Sequence, residues 1–204
     1  MENKKKKQFG TARWMDKLYE GYDLYTVPSP KGKPKTVAVY TGYYYQADIS
    51  GKKQLGYKFV YTLLTLLSVL FFGFSAIQPI EFNNLRFVGV VQMVSLVAVV
   101  YLVVTVILYW TREQRMTEYV HRITSRYLKN SSAFSAVCMA ICAGIAILFA
   151  IFGKEDNPEK IFGAVCLYLC AAACLVAIYR IECALAYSCE KSDETPPPGA
   201  DKCT

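Results

Sequence analysis

Four long stretches of this sequence, residues 59–77, 87–110, 133–152 and 161–179, hold no aspartate, glutamate, lysine, arginine or histidine. A stretch without charge has no polar face, so none of the four reads as the amphipathic helix of a water-soluble domain. At about 1.5 Å per residue each crosses roughly 30 Å of hydrocarbon, the second with some tilt. The scarcity extends to chemistry. Ion-coupled carriers and intramembrane enzymes need ionisable groups at depth, and these stretches offer none. The sequence also lacks a P-loop, a paired-histidine metal motif, a Gly-x-Ser-x-Gly elbow and a framed carboxylate pair. The chain has one histidine, His121, with no second ligand type at metal spacing beside it. The expectation is a non-enzymatic protein with no metal and no cofactor.

No cleaved signal is expected either. Lys4 to Lys7 resemble a basic leader, but no apolar core follows until about Phe59, so the first apolar stretch is expected to act as the insertion signal.

The residues that are present fill in the rest. Apolar types make up 54% of the chain, and their gathering into blocks predicts an all-α membrane protein, a four-transmembrane-helix bundle. Basic residues crowd before the first stretch (Lys4 to Lys7, Arg13, Lys17, Lys31, Lys33, Lys35, Lys52, Lys53, Lys58) and between the second and third (Arg112, Arg115, Arg122, Arg126, Lys129). The other two links hold Arg86, Lys154 and Lys160. Basic flanks stay inside, which predicts a multi-pass cell-membrane protein with both termini cytoplasmic. Compactness and the lack of sorting motifs lean toward a bacterial cell membrane. The net charge of +7 is then a topological and lipid-facing signal rather than a nucleic-acid one, because no folded platform of base-stacking aromatics accompanies it.

Residues 1–56 form a basic cytoplasmic segment. Over 11–22, Trp14, Leu18 and Tyr22 recur at helical spacing and predict a short amphipathic helix lying on the inner leaflet or on the chain's own cytoplasmic parts. Two β-prone runs around a Pro-rich and Gly-rich centre predict a β-hairpin or three-stranded meander over about 23–46, whose density of exposed tyrosine (Tyr40, Tyr43, Tyr44, Tyr45) suggests a contact surface. Residues 57–187 carry the helices. In the link 111–132, Met116, Tyr119 and Ile123 recur at helical spacing, which predicts that the second membrane helix continues as an amphipathic extension and stops near Asn130-Ser131-Ser132. The tail 188–204, acidic and holding Pro196-Pro197-Pro198-Gly199, is expected to be disordered.

Cys138 and Cys142 share a face of the third helix, and Cys166, Cys170 and Cys174 a face of the fourth. Thiolates in that arrangement suit a soft metal such as Cu(I). Their neighbours, among them Gly144 and several alanines, favour helix packing through small side chains. Two outer turns, Asn83, Arg86, Gly89, Val91 and Asn157, Lys160, Gly163, Val165, repeat at one offset and hint at a two-plus-two duplication. The expected partners are the lipid bilayer and other membrane proteins or further copies of the chain, in the manner of an accessory or scaffold subunit. An oligomeric channel or small-solute transporter component is the alternative.

Overall fold

A computed structural model describes residues 21–27, 35–152, 158–196 and 201–202 of the chain, which divide into two compact units. The first is made of β-strands from three separate parts of the sequence. Strand β1 (Tyr22–Val27) and β2 (Lys35–Tyr40) pair antiparallel in the register Tyr22↔Tyr40 to Val27↔Lys35. This is the expected hairpin, rich in the β-branched and aromatic types that suit a pleated surface. Gly21 opens it at φ 87°, a left-handed conformation that a side chain resists, and a Cβ there would stand 2.8 Å from the Tyr40 ring.

Strand β3 (Tyr43–Ala47) does not extend the hairpin. It lies between β4 (Arg115–Thr117), with Tyr45 opposite Met116, and β5 (Tyr187–Lys191), with Tyr45 opposite Cys189. Strand β6 (Asp201–Lys202) adds to the other side of β1. Two expectations are corrected here. The tail was to be disordered from 188, yet β5 and β6 both pair, because the unsatisfied backbone edges of β3 and β1 offer them partners that composition does not reveal. Met116 was to sit in a helix, yet it is a strand residue. The amphipathic helix over 11–22 lies outside the described residues save for its last two positions, and Tyr22 is extended.

The second unit is a helical bundle. Helix α1 (Gly51–Ile77) ends where Gln78, restrained by the following Pro79, turns extended at φ −57° and ψ 132°. A short α2 (Glu81–Asn84) leads into α3 (Arg86–Trp110). After β4 and α4 (Glu118–His121), which belong to the first unit, come a π-helical turn (Arg122–Arg126) and α5 (Tyr127–Phe152), and helical residues run unbroken from Glu118 to Phe152. The amphipathic extension thus belongs to the third membrane helix and not the second. The expected stop at Asn130-Ser131-Ser132 does not occur, since Ser131 and Ser132 bond back to Leu128 and Lys129 carbonyls inside the helix. Helix α6 (Pro158–Ala184) completes the bundle, and Asn157 of the suggested repeat lies outside the described residues.

Among the described residues four helical runs, Gly51–Ile77, Arg86–Trp110, Glu118–Phe152 and Glu159–Ala184, are long and apolar enough to cross a membrane. Their packing identifies the solvent. Side chains that recur every seven residues face inward: Tyr61, Ser68 and Ser75 on α1; Ser95, Leu102 and Tyr109 on α3; Ser132, Met139 and Ala146 on α5; Ile161, Tyr168, Leu175 and Glu182 on α6, all 0% exposed. Seven is the period that keeps one seam inward in a supercoiled bundle. The outward positions are instead large and apolar, such as Leu63, Phe74, Val97, Ile107 and Phe162. Hydroxyls inside and aliphatics outside is the distribution of a protein dissolved in lipid. The chain is a multi-pass α-helical membrane protein.

Candidate functional site

The bundle's two buried charged side chains among the described residues, Arg112 and Glu182, meet at the end where α1 begins and where α3 and α6 finish. Glu182, the last member of α6's seven-residue series, is fully buried. Its Oε2 accepts a 2.7 Å hydrogen bond from the Tyr61 hydroxyl, and its Oε1 lies 3.8 Å from Nη1 of Arg112, whose side chain is also 0% exposed. The Arg112 guanidinium stands over the Tyr109 ring, 4.8 Å from its centroid, and Tyr61 meets the same ring edge-on. Lys58 donates to the carbonyls of Trp110 (2.9 Å) and Arg112 (3.0 Å), satisfying the negative end of α3. Gln54 adds a 3.5 Å bond to the Glu113 carbonyl. The cluster is an ionic tie among α1, α3 and α6. The phenol and the guanidinium both face the Glu182 carboxylate, so one buried acid links α1, the end of α3 and α6.

At the opposite end an amide relay serves the same purpose. Asn83 donates to the Ser75 and Gln78 carbonyls, and Gln92 donates to Asn83 Oδ1 (2.8 Å) and the Tyr168 hydroxyl (3.0 Å). Ser75 reaches the Ala164 carbonyl. Among the membrane hydroxyls and amides, Gln92, Thr62 (accepting from Trp110 Nε1) and Ser95 (3.5 Å from Cys142 Sγ) bond across helices. Ser68 and Thr105 bond to carbonyls of their own helices.

In the strand unit, Tyr40 is buried, its ring against Tyr22 and Tyr44, and its hydroxyl donates to the Tyr43 carbonyl and accepts from the Glu118 N–H. Glu194 accepts from Tyr44 Oη (2.7 Å) and from the Tyr40 N–H (3.3 Å). Burial, reinforced by that carboxylate, pushes the Tyr44 phenol up to about 12, while Arg115 over its ring pulls weakly the other way. Burial also raises Tyr40 and Tyr45, the latter with help from Cys189. His121 stacks on Tyr45 at 4.5 Å and meets Tyr187 edge-on.

The residues singled out from sequence fall into distinct places. Trp14 and Leu18 lie outside the described residues. Tyr22 and Tyr43 are exposed, while Tyr44, Tyr45, Tyr119 and Ile123 are half-buried. Tyr40 and Met116 are buried and point inward, away from any contact surface. Cys138 and Cys142 pack in the core. Cys166 and Cys170 do not. They are exposed on the lipid side of α6, and Cys174 is half-buried, because Ile161, Ala164, Tyr168 and Ala171 occupy the packed face. Gly144 is corrected too, since a Cβ there would meet nothing within 4 Å and its smallness serves no close approach. Among the described residues no group of three or more His, Cys, Asp or Glu side chains is placed to hold a metal.

The ionic tie is not among the features singled out from sequence. The seven-residue spacing of Glu182 from Leu175, Tyr168 and Ile161 is the signal that finds it. No protein-family model matches the chain, and no curated protein and no solved structure matches it either.

Proposed function

We propose that this chain is a non-enzymatic accessory or scaffold subunit of a membrane complex, which presents an ordered strand unit to partners on the cytoplasmic side. The observation that carries the proposal is the pairing of β3 with both β4 and β5. Segments before the first helix, between the second and third, and after the fourth contribute to one unit, which supports a topology with all three on one side of the bilayer. The basic flanks favour the cytoplasm as that side. Exposed Tyr22, Leu24 and Tyr43 give the unit an apolar and aromatic surface of the kind partners cover. The bundle's buried charges are meanwhile committed to one another through Arg112, Glu182 and Tyr61, which favours a supporting role over a conducting one.

Extraction from native membranes in mild detergent, followed by identification of copurifying chains and their stoichiometry, tests the proposal. A fixed partner, released when Tyr22, Leu24 and Tyr43 are replaced by serine, is the expected result. A solitary monomer, or a solute flux in liposomes holding only this protein, overturns it. Membrane-impermeant thiol labelling of Cys189 should succeed in inverted vesicles and fail on sealed cells.

A further inference from the structure

Three sides of the bundle close by helix packing, α3 on α5, α5 on α6 and α6 on α1, while the α1–α3 side is grooved along its length. One groove, of about 280 Å³, is lined by Thr62, Leu66, Val69, Val103, Ile107 and Trp110. A second, of about 440 Å³, shares Val69 and continues past Phe72, Gly73, Gly89, Met93 and Leu96. Cβ atoms added at Gly73 and Gly89 would meet nothing within 4 Å, so neither glycine is needed for packing inside the chain. The neighbouring Leu63, Leu70, Val100 and Val104 are exposed, so the seam opens sideways to lipid.

The mouth of the first groove is polar and basic. Trp110 Nε1 donates to Thr62 Oγ1 across it at 2.8 Å, and Thr62 donates to the Lys58 carbonyl one turn below. Lys58 spends two ammonium protons on the Trp110 and Arg112 carbonyls, and an ammonium has a third. Lys52 and Lys53 lie exposed in the first turn of α1, which has no acidic residue. Two cations at the positive end of a helix dipole are unfavourable by themselves, and an anion offsets them. The nearest acid in sequence on α3's side is the exposed Glu113, and Arg112 is committed to Glu182.

From these observations we infer that the α1–α3 seam binds an anionic phospholipid, its phosphate on Lys58 with Lys52 and Lys53 nearby and one acyl chain in the groove between Thr62 and Val69. The run from Thr62 to Val69 rises about 10 Å, within the roughly 15 Å depth of one leaflet. The Trp110–Thr62 bridge ties the two helices at the mouth. An uncharged tail meets aliphatic walls, and the headgroup meets cations at interface depth beside an indole.

Trp14 and Trp110 are the chain's two tryptophans, so a W14F background makes Trp110 the sole reporter. The full-length protein is placed in phosphatidylcholine vesicles containing bromine-labelled acyl chains on either phosphatidylglycerol or phosphatidylcholine, and Trp110 quenching is read. Brominated phosphatidylglycerol should bind at least about threefold more tightly, a preference of roughly 0.7 kcal/mol. K58Q should bring the ratio close to one. V103F, which fills the groove, should lower quenching by both lipids while K52Q and K53Q lower the preference alone, and circular dichroism checks that each variant is folded. Equal quenching by the two lipids in the unsubstituted chain overturns the inference, as does a preference that survives K58Q. Trp110 shielded from both lipids would mean that a protein helix covers the seam, and that also overturns it.

Discussion

Removing one partner from the Arg112–Glu182 pair tests whether the ionic tie holds the bundle. In E182M the guanidinium keeps its charge at 0% exposure with its carboxylate gone, and the Tyr61 hydroxyl loses an acceptor 2.7 Å away. Breaking a buried pair on one side costs about 3–5 kcal/mol in soluble proteins. Hydrogen bonds between membrane helices are worth less, near 0.6 kcal/mol on average and about 1.7 at most, because the unfolded chain in lipid finds other partners. An ion pair at the interface lies between these limits, and about 3 kcal/mol is the expected loss for E182M or for R112M. The double variant removes both charges together and should lose only about 1–2 kcal/mol, since apolar side chains of similar length fill the space. Y61F, which deletes one charge-assisted bond, should lose about 1.5 kcal/mol. Unfolding of purified protein in mixed micelles, followed by far-UV circular dichroism as the denaturing detergent fraction rises, gives the four free energies of the cycle. A coupling below about 0.5 kcal/mol would mean that the two charges act independently, and the tie as described would be wrong.

Two further outcomes bear on other parts of the molecule. Tyr44 holds its proton more tightly folded than unfolded, so its contribution is intact below pH 10 and lost as pH rises toward about 12. Two pH units correspond to about 2.7 kcal/mol, which partial exposure reduces to about 1. Near-UV circular dichroism of the tyrosines should show the strand unit loosening between pH 10 and 12, while Y44F shows no step assignable to Tyr44. On α1, Thr65 Oγ1 is buried without a hydrogen-bond partner, while Ser75 Oγ bonds to the Ala164 carbonyl at 3.2 Å. T65V should therefore leave stability unchanged or raise it by up to about 1 kcal/mol, and S75A should lower it by about 0.6, in the same micelle assay. The opposite order would show that the hydroxyls are not positioned as described.

The four membrane helices were legible because charge is excluded from hydrocarbon, and that exclusion marks a helix's middle sharply and its ends poorly. Backbone hydrogen bonding ignores the boundary. Helix α1 therefore begins at Gly51, through Lys52, Lys53 and Lys58, and α6 runs past Arg180 to Ala184. The periodic run from Tyr119 to Tyr127 was legible as helix, but periodicity is the same whichever neighbour continues it, and the run joins α5 after a break at 111–117. Strand pairing across the sequence was hidden for a different reason. The tail residues Tyr187–Lys191 have little to bury, and what orders them is the free edge of β3, 140 or more residues away in sequence, whose hydrogen-bonding groups composition does not register. The ionic tie lay between these cases. In a helix that is apolar all round, every position looks equally fit for the interior, so the distinction between faces lies in the few polar residues. Ser68 and Ser75 follow Tyr61 by seven and fourteen positions, and Glu182 follows Ile161 by twenty-one, so the seam that buries all of them is already spaced in the sequence. Spacing names the face and leaves the partner open. Glu182 on that face needs a cation from another helix, and the bundle supplies Arg112 just beyond the end of α3, at the level where α6's series terminates.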